Sequence, residues 1–355
     1  WGQSLEMAQE KPLIGQGLGT YWQHWPQWRA PMDSTSGFWA HNDLLHLWIE
    51  AGLPAVIFLL IVHAVLLTLL LRILRNNDIK PKHKGELIAL FAGLLTVAIH
   101  AQFTFNYYNL PILLVLSVMM ARIARIEMGI NEAPARKGHN WLRMAIFPSA
   151  LLAIVYFATM GASVLIFEQA AEKMRQGDLQ GADKGFAQAQ QLWGTTDMFP
   201  YTHALLKEQQ LAKIPTDNTE LRKEIYLEAQ QLLDTSIANS PLRPIPYFIK
   251  GRLLVTAAEL AGKDWLERAE AAFKLSMKRD PRYLEARLTL ARILEVTERQ
   301  TQASTLLEEG IDYYYPNNNP NLLTYYKMLA AARSRAGNLA GASEIIERHN
   351  QIVSS

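Results

Sequence analysis

His41 and Asn42 open the one stretch whose side chains could do chemistry. An imidazole near neutral pH can take or give a proton. Asn42 or Asp43, directly after it, can accept hydrogen bonds from the first free N–H groups of a helix. A histidine just ahead of a helix N-terminus faces the positive end of the helix dipole. That setting favours phosphate and keeps the imidazole neutral, as a base requires. His46 and Glu50 stand four apart and share a helix face. His41 and His46 are five apart, a poor spacing for a shared metal, and no metal site is expected. Taken alone, His41 could also be an interfacial histidine with no special role.

Residues 1–50 form a polar, aromatic-rich segment that must position this stretch. Lys11 to Gly19 carries glycines at 15, 17 and 19. The spacing is not a dinucleotide fingerprint, and it reads either as a flexible turn or as a place where another group comes close. Tyr21, Trp22, Trp25, Trp28 and Arg29 follow. Such aromatics suit a membrane interface or the apolar faces of sugars. Residues 51–167 contain four apolar runs, Leu53–Leu74, Leu87–Phe105, Leu110–Ile126 and Met144–Phe167. A run of about 20 apolar residues spans a bilayer core, so four membrane helices are expected. His63 inside the first is expected to be packed and hydrogen bonded. Basic residues follow the first run (Arg72, Arg75, Lys80, Lys82, Lys84) and the third (Arg122, Arg125, Arg136, Lys137, Arg143). The positive-inside rule makes these connections cytoplasmic. His41, His100, the Asn106–Asn109 turn and everything after Phe167 are then expected outside, where no ATP is available.

The net charge of +2 in 355 residues carries no dense basic stripe, which argues against nucleic acid. The absence of cysteine excludes disulfides and thiolate chemistry. The chain begins with Trp1, no signal peptide is evident, and it is expected to be a piece of a longer membrane protein. From residue 168 on, the pattern becomes that of amphipathic helices. Ala269, Phe273 and Pro281 are followed by Ala303, Leu307 and Pro316 at spacings of 34, 34 and 35 residues. The same small-x3-apolar core recurs at Ala182/Phe186, Ala229/Leu233 and Ala342/Ile346, with Gly177, Pro241 and Gly337 in register. Residues 168–355 resemble the tetratricopeptide repeat, a solenoid of helix pairs that suits protein binding. The expected fold is all-α: polytopic membrane helices followed by this soluble array.

Pro12-x-x-Gly15-x-Gly17, then His41-Asn42, nine residues, and Gly52-x-x-Ala55 resemble the signature of the bacterial O-antigen ligase and polymerase superfamily, with the related protein O-oligosaccharyltransferases. The resemblance covers about residues 1–125. It implies a metal-independent, inverting glycosyl transfer on the periplasmic side of the inner membrane, needing no cofactor. The donor would be a glycan on undecaprenyl pyrophosphate. The acceptor would be lipid A–core, a protein serine, or another glycan if the member is a polymerase. His41 would be the acceptor-activating base or a donor-phosphate ligand. Arg29, Asn42, Tyr107, Tyr108 and His100 would bind substrate around it. Asn106 stands where the protein-glycosylating branch usually has a glutamate. Two readings from other classes compete: a membrane-anchored repeat scaffold without catalysis, and a piece of a transporter or flippase.

Overall fold

Asn42 starts the central helix of the first half of the chain. Its side chain accepts the Leu45 N–H at 3.0 Å, the N-cap expected of a short polar residue there. The computed structural model describes residues 1–30, 37–77, 79–130, 140–314 and 320–353, with side chains over the same ranges except 127–147 and 351–353. Every regular element among these residues is helical. The chain divides into two units, one ending at Leu142 and the other running from Arg143 to the C-terminus.

In the first unit, α1 (Gly2–Glu10) and α2 (Tyr21–Trp28) precede α3 (Asp43–Arg75), α4 (Pro81–His100) and α5 (Leu110–Ile130), with a 3-10 turn at Asn106–Tyr108. α3 is broken at Gly52, whose φ of 79° and ψ of 174° are not helical. Met7, Tyr21, Trp25, Ala40 and Ile49 make a small core at one end. Tyr21 and Trp25 therefore serve as packing residues and not as an interface belt. At the other end Ile73, Leu87, Phe91 and Ile123 pack together, and Arg122 grips Glu86 through two hydrogen bonds of 2.6 and 3.0 Å.

Two helices among the described residues are long and apolar enough to cross a membrane, Asp43–Arg75 and the stretch Pro148–Arg175. The expected second and third spans do not reach that mark. Lys82, His83, Lys84 and Glu86 take up the first turns of α4, and its helix ends at His100, short of Phe105. Arg122 and Arg125 close the apolar part of α5. The apolar faces of α3, α4 and α5 are nonetheless open, with Phe58, Ile61, Leu95, Leu114 and Val118 all exposed. Arg136, Lys137 and the loop Tyr315–Asn319 lie outside the described residues, as does the side chain of Arg143.

The second unit begins with α6 (Asn140–Arg175) and continues as α7 (Leu179–Leu192), α8 (Met198–Lys213), α9 (Thr219–Asn239), α10 (Pro244–Thr256), α11 (Ala258–Ala261), α12 (Trp265–Arg279), α13 (Leu284–Val296), α14 (Gln300–Glu308), α15 (Pro320–Arg335) and α16 (Leu339–Val353). The repeat positions read from spacing are the packing positions. Ala182, Phe186, Ala229, Leu233, Ala269, Phe273, Ala303 and Leu307 are all buried, on α7, α9, α12 and α14. Each of these helices packs on the helix before it in its pair: the end of α6, α8, α10 and α13. A buried serine ties two of the pairs: Ser236 donates to the Asp197 carbonyl at 2.8 Å, and Ser276 to Pro244 at 2.9 Å. The fifth pair, α15 and α16, departs from the pattern at one position. Ile346 is 48% exposed, and its neighbour Ile345 is buried at 1%. Ala342 and Ile345, not Ile346, face the core that α16 shares with Leu322, Tyr325, Tyr326 and Leu329 of α15.

A charged cluster joins three helices of this unit. Lys207 on α8 lies 2.7 Å from both Asp183 on α7 and Glu228 on α9, and His203 lies 2.7 Å from Asp183. His203 and Lys207 are buried, and Gln190 donates to His203 Nδ1 at 2.8 Å. Burial holds His203 below its ordinary value, although Asp183 pulls the other way. Burial also works against the Asp183 carboxylate, but Lys207 and His203 outweigh it and hold the group low.

Two outcomes follow. Phe273→Ala removes a fully buried ring from the repeat core and should destabilise the second unit by about 3–5 kcal/mol in chemical denaturation. The cluster gives an acid-side loss of stability. A histidine depressed in the folded state leaves the unfolded chain to take up the proton as pH falls through about 6.5. Asp183, also depressed, adds a loss as pH falls further, toward and below about 4. Thermal unfolding in detergent should therefore drop between pH 7 and pH 5. His203→Gln, which has no proton to gain, should flatten that limb.

Candidate functional site

The break in α3 leaves three backbone groups without helical partners. Leu53 N–H cannot reach Ile49, and Pro54 has no N–H to offer Glu50. The Pro12–Gly17 loop supplies all three partners. Gln16 N–H donates to the Ile49 carbonyl at 2.7 Å, Gly17 N–H donates to the Glu50 carbonyl at 3.0 Å, and Leu53 N–H donates to the Pro12 carbonyl at 2.8 Å. Trp48 Nε1 adds a bond to the Pro12 carbonyl at 3.1 Å. The fit leaves no room for side chains. A Cβ at Gly15 would stand 2.4 Å from the Glu50 carbonyl, and one at Gly52 would stand 2.2 Å from that of Leu13. Both glycines also have positive φ, 70° and 79°. The glycine loop is a backbone clamp. Of the two readings of the glycine spacing, close approach of another group holds and the flexible turn does not, although the spacing gave no sign of a partner some 35 residues away.

His41 stands at the start of the helix that this clamp steadies. Its side chain is exposed and its φ is 51°, a left-handed backbone unusual for a residue with a Cβ. Its ring approaches Phe105 edge-on at 5.7 Å, and Phe105 stacks on Trp39 at 5.0 Å. Asn42 spends its side-chain oxygen on the helix cap. Asp43 does not cap. Its N–H donates to the Ala101 carbonyl at 2.8 Å and its carboxylate accepts from Tyr107 N–H at 2.9 Å, fastening the 3-10 turn to α3.

Beneath His41 lies a buried polar group. His46 Nε2 is 3.2 Å from Glu50 Oε1, the contact expected of their spacing. Glu50 also accepts from Tyr21 N–H at 3.1 Å and from the Tyr108 hydroxyl at 3.3 Å. This segment precedes the kink and lies ahead of the apolar run that starts at Leu53. Burial works against the Glu50 carboxylate, but His46 and the N–H groups of Gly19 and Tyr21 outweigh it and hold it below its ordinary range. Burial, with Glu50 beside it, pushes the Tyr108 phenol far up, so this hydroxyl donates and does not act as a base. Burial raises Tyr107 as well. Its hydroxyl lies 2.8 Å from His63 Nε2, and His63 Nδ1 lies 2.7 Å from the Leu59 carbonyl. A carbonyl only accepts, so Nδ1 carries the proton and Nε2 accepts from Tyr107. These two side chains sit in an apolar cavity of about 450 Å³ between α3, α4 and α5. His63 is hydrogen bonded, as expected.

The residues expected around His41 are thus distributed as follows. Asn42 caps the helix beside it, Tyr107 and Tyr108 serve His63 and Glu50, and His100 accepts from the Asn106 side chain at 3.1 Å. Arg29 ends α2, its N–H on the Trp25 carbonyl at 3.0 Å. Sequence reasoning noted the His46–Glu50 spacing but missed that Tyr21 and Tyr108 share the same carboxylate. Nothing local to Glu50 signals a partner 58 residues away. No group of three or more metal-ligating side chains occurs among the described residues.

No protein-family model matches the chain, and no curated protein matches it. Among solved structures, the MamA protein aligns over 54% of this chain and 91% of its own, with a TM-score of 0.38 and 13% identity. TTC0263, a thermophilic TPR protein in Thermus thermophilus, aligns over 54% and 92%, with a TM-score of 0.37 and 16% identity. The human IFIT1 dimer with PPP-AAAA aligns over 88% and 73%, with a TM-score of 0.41 and 13% identity. Scores this low carry no argument alone, and the repeat architecture stands on the helix pairs themselves.

Gly15→Ala and Gly52→Ala should each open the clamp. A Cβ driven into backbone at a left-handed position should cost more than about 2 kcal/mol. Hydrogen exchange should then speed up at the Gln16, Gly17 and Leu53 amides well before it does in the second unit.

Proposed function

We propose that the two units divide the work: the repeat unit docks a protein, and the first unit carries a glycosyl-transfer site at a membrane surface, with His41 acting on the acceptor hydroxyl. The docking half has the broader support, because stacked helix pairs present long surfaces suited to protein partners. The transfer half rests on one observation: the residues of the O-antigen-ligase-like signature fold onto one another. The Pro12–Gly17 loop closes on Glu50–Leu53, and His41 stands exposed at the head of the same helix.

In the proposed reaction, His41 takes the proton of the acceptor hydroxyl as its oxygen attacks the anomeric carbon of the donor sugar. The bond from that carbon to the undecaprenyl pyrophosphate oxygen breaks with inversion, and the pyrophosphate leaves with the electron pair. Pyrophosphate is already a good leaving group, so positioning and charge stabilisation carry the catalysis. Arg29 would face its negative charge. On this reading α4 and α5 stand beside α3 in a bacterial inner membrane, their open apolar faces toward lipid, with the His41 end on the periplasmic side. The acceptor is lipid A–core or a protein serine for a ligase, and a growing glycan for a polymerase.

A second reading drops the chemistry and keeps a membrane-anchored repeat scaffold. The observation that favours it is the internal use of Asn42, His46, Glu50, Tyr107 and Tyr108, all spent on partners within the unit.

His41→Ala in cells should lower glycan transfer at least about a hundredfold, the scale on which a positioned base acts, while membrane levels stay normal. Mass spectrometry of glycoproteins and lipopolysaccharide reads the product and separates protein, lipid and glycan acceptors. Transfer at the wild-type rate leaves the scaffold reading standing alone.

A further inference from the structure

We propose that His46 and Glu50 are a positioning pair for His41, with His46 Nδ1 holding the Ala40 N–H and Glu50 holding His46 in the tautomer that lets it do so. The activity readout of this inference rests on the glycosyl-transfer reading. Its spectroscopic readout does not.

The argument begins at the left-handed backbone of His41. A residue with a Cβ stays in that region, at a cost of roughly 1–2 kcal/mol, only where its surroundings over-determine it. The flanking groups do so from both sides. Ala40 N–H donates to His46 Nδ1 at 3.3 Å. The Ala40 carbonyl, which belongs to the peptide shared with His41, accepts from Trp1 Nε1 at 2.8 Å. After His41, the Asn42 side chain is fixed as the helix cap and Asp43 N–H is fixed on Ala101. Of these anchors only His46 is ionisable and tautomeric, and its two nitrogens have opposite duties. Nδ1 must accept from a backbone N–H, so the proton sits on Nε2, where it meets Glu50 Oε1 at 3.2 Å.

Burial makes the pair exacting. His46 is 3% exposed and Glu50 2%. Burying an imidazole and a carboxylate costs desolvation that their hydrogen bonds only offset, so packing alone is a poor reason for the pair here. Tyr21 and Tyr108 flank the imidazole, with ring centres at 4.7 and 4.5 Å. A turn that exchanged its nitrogens would break both of its hydrogen bonds within this packing. The exposed imidazole at 41 and the buried one at 46 are thus a working group and its mount.

Glu50 also serves Tyr21 and Tyr108, so substitutions at 46 separate positioning from folding better than substitutions at 50. Asparagine at 46 places an oxygen near the Nδ1 position and can still accept from Ala40. Glutamine reaches toward Glu50 but leaves Ala40 N–H without its acceptor. His46→Gln should lower kcat for transfer about tenfold to a hundredfold, the loss that follows a misplacement of about 1 Å, with the donor KM within about twofold. His46→Asn should retain kcat within about threefold. Equal losses in the two variants, or no loss in His46→Gln, overturn the inference while a dead His41→Ala keeps the transfer reading intact. Should His41→Ala transfer normally, the transfer reading fails and 15N NMR of the full chain, labelled at histidine and alanine in detergent micelles, decides alone. A His46 protonated at Nε2 and bare at Nδ1, with an Ala40 amide that shifts in His46→Gln but not in His46→Asn, supports the pair. A proton on Nδ1 overturns it.

Discussion

Three backbone hydrogen bonds at one helix break carry the first unit. Leu53 N–H and the carbonyls of Ile49 and Glu50 would be orphans in a chain that simply kinked, and a buried orphan group costs as much as a lost hydrogen bond. The Pro12–Gly17 loop answers all three. Once it does, α1 and α2 are fastened to α3, the Glu50 side chain is brought under Tyr21, and the end of α3 that bears His41 has a fixed base. Without the two close glycines the loop could not approach, and each later contact would lose its register.

The second unit solves a different problem with different means. No single helix pair can bury its own apolar face, so each small residue at the repeat position admits the next helix and the array builds up by stacking. Its polar groups are used to tie neighbours. Arg252 reaches Glu208 across one junction, and Arg335 reaches Glu295 across another. Lys207 goes further, bridging two carboxylates from a buried position. The unit is held by many modest contacts between neighbours, whereas in the first one backbone clamp fixes how the loop meets the helix.

This difference explains what the sequence made legible. A stacked array writes its contacts as local periodicity, so Ala269, Phe273, Ala303 and Leu307 could be read directly, and the slip from Ile346 to Ile345 comes only at the last pair. The Asn42 cap and the His46–Glu50 contact are also local, three and four residues apart, and could be read too. The clamp is written in main-chain groups, which have no side-chain signature. Glycine spacing signalled a special backbone but not its partner. The Tyr108–Glu50 and Tyr107–His63 bonds join residues 58 and 44 apart, and no pattern in a single chain pairs them. The expected spans sit between these cases: apolar runs are visible, but the charged first turns of α4 leave that helix short of the length and apolarity needed to cross a membrane.

The left-handed backbone at His41 has a consequence for the history of the position. Glycine would occupy the same conformation with less strain, so a population under selection for folding alone would drift toward glycine there. An imidazole retained at this position across related chains would mark selection for something other than stability. The residue found at position 41 in related chains would therefore show whether the position answers to more than folding.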